Sequence, residues 1–276
     1  MEVFDIFSDG FNILKKQPGI ALPMLVMYVA VFFCALLAVV GFGAVLLLIH
    51  AAMPLSFGAV LAELPAIAVA AIIFVLVIVA ASAFIEAMYI SMAAQGKRGR
   101  VSLSKAYDVA KKTFVRLFLL DITKVLILLA VLSALGAVFF FTVFQGMSSS
   151  AGFIAGLAFL FIIGIIAAAA LYLSLFQSSV VLVMEGKGVW ESIDRSIEIC
   201  KARFFTLLLF VVIFAALAVV FSVIMDIIDL MPLIGFIIGI ILNVFFGAWA
   251  VMLPTLFYLQ YGTGGKAGRA RRRRKM

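Results

Sequence analysis

Few side chains in the apolar stretches of this sequence are able to do chemistry. They are Glu86, Tyr89 and Ser91; Asp121, Thr123 and Lys124; Gln177, Ser178 and Ser179; and Tyr258 and Gln260, with Asn243 standing apart from the rest. Asp121 and Lys124 are three residues apart, so on a helix they share a face and can pair. Pairing lowers the insertion cost of each charge, about 2.5–3.5 kcal/mol at the centre of a bilayer. Glu86 has no partner at helical spacing. Charges at membrane depth mark ion, proton or substrate pathways, and Glu86, Asp121, Lys124, Gln177 and Tyr258 are therefore the candidate lining of a polar cavity. The structural alternatives are a pair that snorkels to the interface and a Glu86 that sits at the membrane edge.

No catalytic constellation accompanies them. The sequence has one histidine, His50, and lacks HExxH, a P-loop, Gly-x-Ser-x-Gly, Cys/His metal spacing and a dinucleotide-binding glycine pattern. The expectation is a non-enzyme with no catalytic residues, no metal and no cofactor. Cys34 falls inside an apolar stretch and Cys200 in a polar one, so no disulfide is expected.

The elements that must position these residues follow from composition. At 67% hydrophobic and 12% charged, with a mean hydropathy of +1.33, the chain departs from the roughly one-quarter charged residues of soluble proteins. Three long apolar blocks hold no basic residue, and each is broken once by a polar or Pro/Gly patch: His50 to Phe57, Gln145 to Gly152, and Asp229 to Gly235. A span needs about 20 apolar residues, so each block holds two. The spacing predicts an all-α membrane protein with six transmembrane helices at 20–48, 60–93, 114–143, 153–183, 204–228 and 234–260. The opening residues lack a basic region followed by a small-residue cleavage site, so the first span is expected to be retained.

All 21 Lys and Arg residues lie in clusters ahead of, between or after the blocks, the second cluster reaching into the start of the third span with Arg116 and Lys124. The positive-inside bias then places these clusters, and both termini, in the cytoplasm, which implies a multi-pass protein of the plasma membrane. Residues 1–261 read as one membrane domain and 262–276 as a flexible basic tail. Lys15, Lys16, Lys111, Lys112, Lys201, Arg203 and the tail residues Arg271, Arg272, Arg273 and Arg274 are candidates for binding anionic lipid headgroups, at about 1 kcal/mol per basic residue near the surface. Nucleic acid is not expected, because no aromatic reading surface accompanies the charges.

An internal repeat emerges from the segments ahead of the odd-numbered spans. Gly10-Phe11-Asn12-Ile13, Ala106-Tyr107-Asp108-Val109 and Ser196-Ile197-Glu198-Ile199 align at offsets of 96 and 90, each followed two residues later by a lysine, Lys15, Lys111 or Lys201. Apolar residues at Phe4, Phe7, Phe11 and Leu14, at Leu103, Ala106, Tyr107, Ala110 and Phe114, and at Trp190, Ile193, Ile197, Cys200 and Phe204 recur at steps of three and four, which predicts amphipathic helices lying at the headgroup level. The expected unit is one cytoplasmic amphipathic helix plus a helical hairpin, repeated over about 1–94, 101–184 and 189–261. Successive units keep one orientation, and a threefold ring is the simplest arrangement. Gly152-x-x-x-Gly156, Gly235-x-x-x-Gly239 and Ala62-x-x-x-Ala66 are candidate sites of close helix contact.

The stretch from Val183 to Leu208, with its Glu185-Gly186 turn, its helix bearing Ser192 and Ser196, and its Arg203-Phe204-Phe205 start to the next span, resembles a prokaryotic membrane-protein group similar to the membrane domain of glycerophosphoryl diester phosphodiesterase. The opening from Ile6 to Pro23 and the close from Leu253 to Tyr261 resemble that group as well. The resemblance implies a six-span membrane protein without phosphodiesterase chemistry, which belongs to a separate soluble barrel in such enzymes. The expected role is scaffolding, lipid-interface interaction or assistance to another membrane protein. A small transporter or lipid-handling permease, with a polar cavity open to the cytoplasmic side, is the alternative.

Overall fold

The computed structural model describes residues 3–33, 35–36, 40, 57–145 and 150–262. Cys34, His50, most of the first two turn patches and the tail residues Arg271, Arg272, Arg273 and Arg274 lie outside this range. In chain order the elements are α1 (Val3–Lys16), α2 (Pro18–Phe33), α3 (Phe57–Gly96), α4 (Leu103–Gln145), α5 (Ser150–Leu175), α6 (Ser178–Glu185), α7 (Val189–Ala202), α8 (Phe204–Asp229) and α9 (Pro232–Phe257), closed by a π-helical turn at Tyr258–Gly262. Among the described residues there is no strand.

The segments Ala71–Gly96, Leu103–Val138, Ile162–Glu185, Phe204–Asp229 and Ile234–Gly262 are each long and apolar enough to cross a membrane. Counting the α1–α2 pair, bent by 101°, raises the number to six. The chain is an all-helical, multi-pass membrane protein. The first expected span is described only in part; the second falls within α3 and the third within α4. The fourth is broken at Phe176–Gln177, and the last two match α8 and α9.

The breaks have identifiable causes. Pro18 cannot continue α1, because it carries no amide hydrogen to give to Leu14. The side chain of Gln17 then clamps the α3–α4 loop, donating to the Gly99 carbonyl at 2.9 Å and accepting from the Val101 amide at 3.0 Å. Lys97 pairs with Asp9 across the same junction. Gly186 ends α6 in the left-handed conformation, φ 68°, with its amide bonded to Leu182 O at 3.0 Å; only glycine adopts this geometry without strain. The α8–α9 turn draws so tight that a Cβ on Gly235 would stand 2.1 Å from Ile228 O.

Packing is concentrated at one end of the bundle. Ala83, Ala87, Tyr89 and Met92 of α3, Leu117 and Leu120 of α4, Leu182 of α6, Phe210 of α8 and Met252 of α9 are buried there. The far portions of the long helices present Ile72, Val75, Leu126, Leu129, Val219, Val223 and Ile237 to the outside, an apolar surface suited to hydrocarbon. At about 1.5 Å per residue, the 40 residues of α3 and 43 of α4 exceed the ~30 Å bilayer core.

Two expectations are revised. The second amphipathic segment is not a separate helix, since α4 runs unbroken from Leu103 into its span; no proline or glycine stands between them to stop it. The apolar stripes are also divided. In α1, Val3, Ile6, Phe7, Gly10 and Leu14 face the bundle, whereas Phe4 and Phe11 are exposed. Tyr107 and Trp190 project outward in the same way.

Gly10 sets how closely α1 approaches α9. A Cβ there would lie 3.1 Å from both Leu253 Cδ2 and Trp249 Nε1, beside the hydrogen bond from Trp249 Nε1–H to Phe7 O at 3.2 Å and the Phe7–Phe210 ring stack at 5.2 Å. Gly10→Val is expected to destabilise the protein by about 1–3 kcal/mol through overpacking, read as a lower Tm in detergent. An unchanged Tm would contradict this close approach.

Candidate functional site

The polar site is assembled from three spans. α3 carries Glu86, α4 carries Asp121 and Lys124 one turn apart, and Ser179 stands in the first turn of α6. Lys124 Nζ donates to Asp121 Oδ1 at 3.0 Å and to Ser179 Oγ, and both the Lys124 ammonium and the Ser179 hydroxyl lie close to the Glu86 carboxyl. One ammonium thus stands between two carboxylates, bonded to Asp121 and attracted to Glu86.

Two adjoining cavities meet at Glu86. One, of about 320 Å³, is lined by Glu86, Lys124, Ser179, Val125, Leu128 and Val180, among others. The other, of about 350 Å³, is walled by Met24 and Met27 of α2, Ser82 and Ile85 of α3, Tyr172 and Phe176, Phe210 and Phe214 of α8, and Ala250 to Pro254 of α9. Tyr172, Phe176, Val251 and Pro254 belong to both. The walls are aromatic in series: Tyr172 to Phe176 is 5.7 Å between ring centroids, and Phe176 to Phe210 is 5.9 Å. Pro254 has no amide hydrogen to offer Ala250 O, so α9 is irregular where it borders the cavity, just before the π-helical turn.

Three of the five predicted residues, Glu86, Asp121 and Lys124, come together. Gln177 does not join them. It sits at the break between α5 and α6, fully buried, where its amide N–H donates to Ser196 Oγ at 3.1 Å and Ser196 donates to Ser174 O at 2.6 Å. Its side-chain Oε1 and Nε2 make no hydrogen bond to the described protein. Tyr258 is also elsewhere. Its hydroxyl donates to Glu185, which is paired with Lys187 at 2.9 Å and approached by Arg195 at 3.7 Å. Arg195 is bound in turn to Glu198 at 2.7 Å. This corner ties the π-helical turn at Tyr258–Gly262 to α6 and α7, a structural role. Nearby, burial pushes the Cys200 thiol up from its ordinary pKa, which disfavours the reactive thiolate.

The cavity residues that sequence reasoning passed over are Ser179 and the aromatic walls. Ser179 was visible among the polar span residues, but nothing in the spacing distinguished it from Ser178, which is turned back onto Leu175 O at 2.6 Å. Tyr172, Phe176, Phe210 and Phe214 are indistinguishable in sequence from lipid-facing aromatics.

Lys15, Lys16, Lys111, Lys112, Lys201 and Arg203 are all exposed on α1, the start of α4 and the α7–α8 junction. Gly235 and Gly239 pack within the α8–α9 hairpin, Gly239 against Met225. Among the described residues no group of His, Cys, Asp and Glu is arranged to hold a metal.

A buried amide with no partner costs about 1–3 kcal/mol relative to an apolar side chain of similar shape. Gln177→Leu is accordingly expected to leave Tm unchanged or raise it in a detergent melt. A clear fall in Tm would mean that the Gln177 amide has a stabilising partner after all.

No curated protein and no solved structure matches the chain. A family model does match it, over residues 1–261, nearly the whole of the described helices. The chain belongs to the family described as Domain of unknown function (DUF7847).

Proposed function

We propose that this is a non-enzymatic plasma-membrane protein that holds a small amphiphilic molecule between its spans, acting as a lipid-handling permease or small transporter. The observation that carries the proposal is the convergence of Glu86, Lys124 and Ser179 from three helices on cavities that α2, α8 and α9 also wall. A scaffold needs no such convergence, because scattered interfacial charges would serve it equally well. Ligand pockets are concave and mainly apolar, with a few polar groups that fix orientation, and these cavities fit that description.

The finer architecture belongs to the same proposal. Three tandem units with cytoplasmic termini are supported by the charge pattern and by burial at equivalent positions: Gly10, Ala106 and Ser196 are all buried, and so, four residues on, are Leu14, Ala110 and Cys200. Each amphipathic segment would therefore use one small residue to approach the bundle. Kinship with the membrane domain of glycerophosphoryl diester phosphodiesterase rests on the sequence resemblance alone.

A second reading, of a lipid-interface scaffold or an accessory to another membrane protein, is favoured by a different observation. Phe4, Phe11, Tyr107 and Trp190 are exposed beside Lys15, Lys16, Lys111 and Lys112, a combination that seats a helix at anionic headgroups.

The two readings separate in a labelling experiment. Single cysteines at 86, 124 and 177 in a Cys34→Ala, Cys200→Ala background are treated with a membrane-impermeant thiol reagent from the cytoplasmic side. Water-accessible cavities predict labelling at 86 and 124 and protection at 177. Protection at 86 and 124 as well would mean a dry bundle and would favour the scaffold.

A further inference from the structure

The charge balance and wall chemistry of these cavities specify the kind of molecule they would hold; this inference rests on the cavity function proposed above. Glu86 and Asp121 together carry one more negative charge, when ionised, than Lys124 neutralises. Lys124 is committed to Asp121 at 3.0 Å and to Ser179. Among the described residues Glu86 is the only charged side chain on the wall of the 350 Å³ cavity, which it shares with Tyr172, Phe176, Phe210 and Phe214 and the Met24 and Met27 thioethers.

We propose that this cavity binds a hydrophobic organic cation, such as a quaternary ammonium or protonated amine on an apolar body. A half-buried carboxylate that shares one ammonium with a second acid is only partly compensated, and a cation placed against Glu86 supplies the missing charge. Aromatic faces attract the same cation through their quadrupoles, and more strongly where water is excluded. Neither alternative charge type fits as well. An anion would meet Glu86 while Lys124 is already bonded to Asp121 and Ser179, and a neutral amphiphile would leave the excess negative charge in place. A bare metal ion needs a shell of six or more oxygens, whereas among the described residues the side chains of this wall offer one carboxylate and the hydroxyls of Tyr172 and Ser82, the latter already bonded to Val79 O at 2.9 Å.

The test uses the full chain in lipid nanodiscs, with empty nanodiscs subtracted. Equilibrium dialysis measures tetraphenylphosphonium and its near-isosteric anion tetraphenylborate. Saturable binding of one tetraphenylphosphonium per chain is expected, weakened roughly tenfold or more by Glu86→Gln and several-fold by Phe176→Leu, in line with the strength of desolvated cation–aromatic and charge contacts. Tetraphenylborate should not saturate. A measurement on the unaltered protein guards against a variant that fails to fold: dodecyltrimethylammonium should displace bound tetraphenylphosphonium, and dodecyl sulfate should not. Saturable binding of both probes, indifferent to Glu86→Gln in a folded variant, would overturn the cation assignment while leaving an amphiphile cavity in place. Saturable binding of neither would overturn both the assignment and the cavity function.

Discussion

Two carboxylates and one ammonium meet among helices that are otherwise apolar, and the packing around them is what makes that meeting tolerable. A charge within a bilayer-spanning bundle must be paired, hydrated or moved to the interface. Glu86, Asp121 and Lys124 stay within the bundle, where Lys124 bonds Asp121 and Ser179 and lies close to Glu86. Ser179 reaches this position because the fourth span breaks at Phe176–Gln177 and resumes as α6. The break is stitched by Ser196 of α7, which accepts from the freed Gln177 amide and donates to Ser174 O. The amphipathic helix α7 is thus connected to the segment that carries Ser179 through the Ser196 hydroxyl.

The same end of the molecule carries most of the buried core. Phe7 of α1 stacks on Phe210 of α8, whose ring neighbours both Phe176 of the cavity wall and Phe257 of α9. The amphipathic helix at the chain's start therefore backs the aromatic wall from behind. At the other end, the long helices expose large aliphatic side chains in numbers a water-soluble bundle could not carry.

Much of this was legible in the sequence, and for physical reasons. Long apolar runs free of basic residues admit few structures other than spanning helices, and the Asp121–Lys124 pair follows from helical spacing alone. What remained hidden depends on rotation and long-range contact. Tyr258 and Glu86 look alike as polar residues near span ends, yet Tyr258 turns to Glu185 and Glu86 turns to Ser179. Gln177 was placed in the cavity as a polar residue of an apolar span; the helix break turns its side chain into the packed interior instead. Periodicity alone also could not decide between a separate interfacial helix and the unbroken α4, since an amphipathic stretch leading into a span has the same spacing whether or not the helix bends between them.

A double-mutant thermodynamic cycle on Glu86 and Lys124 tests this account at its centre. Glu86→Gln, Lys124→Met and the two combined would be compared by reversible unfolding in detergent. If the shared ammonium holds the site together, the two changes are non-additive, with a coupling of about 0.5–3 kcal/mol as found for residues in one polar network, and the double variant recovers part of the stability that Lys124→Met removes. Additivity within about 0.3–0.5 kcal/mol would show that Glu86 and Lys124 act independently and would contradict the account.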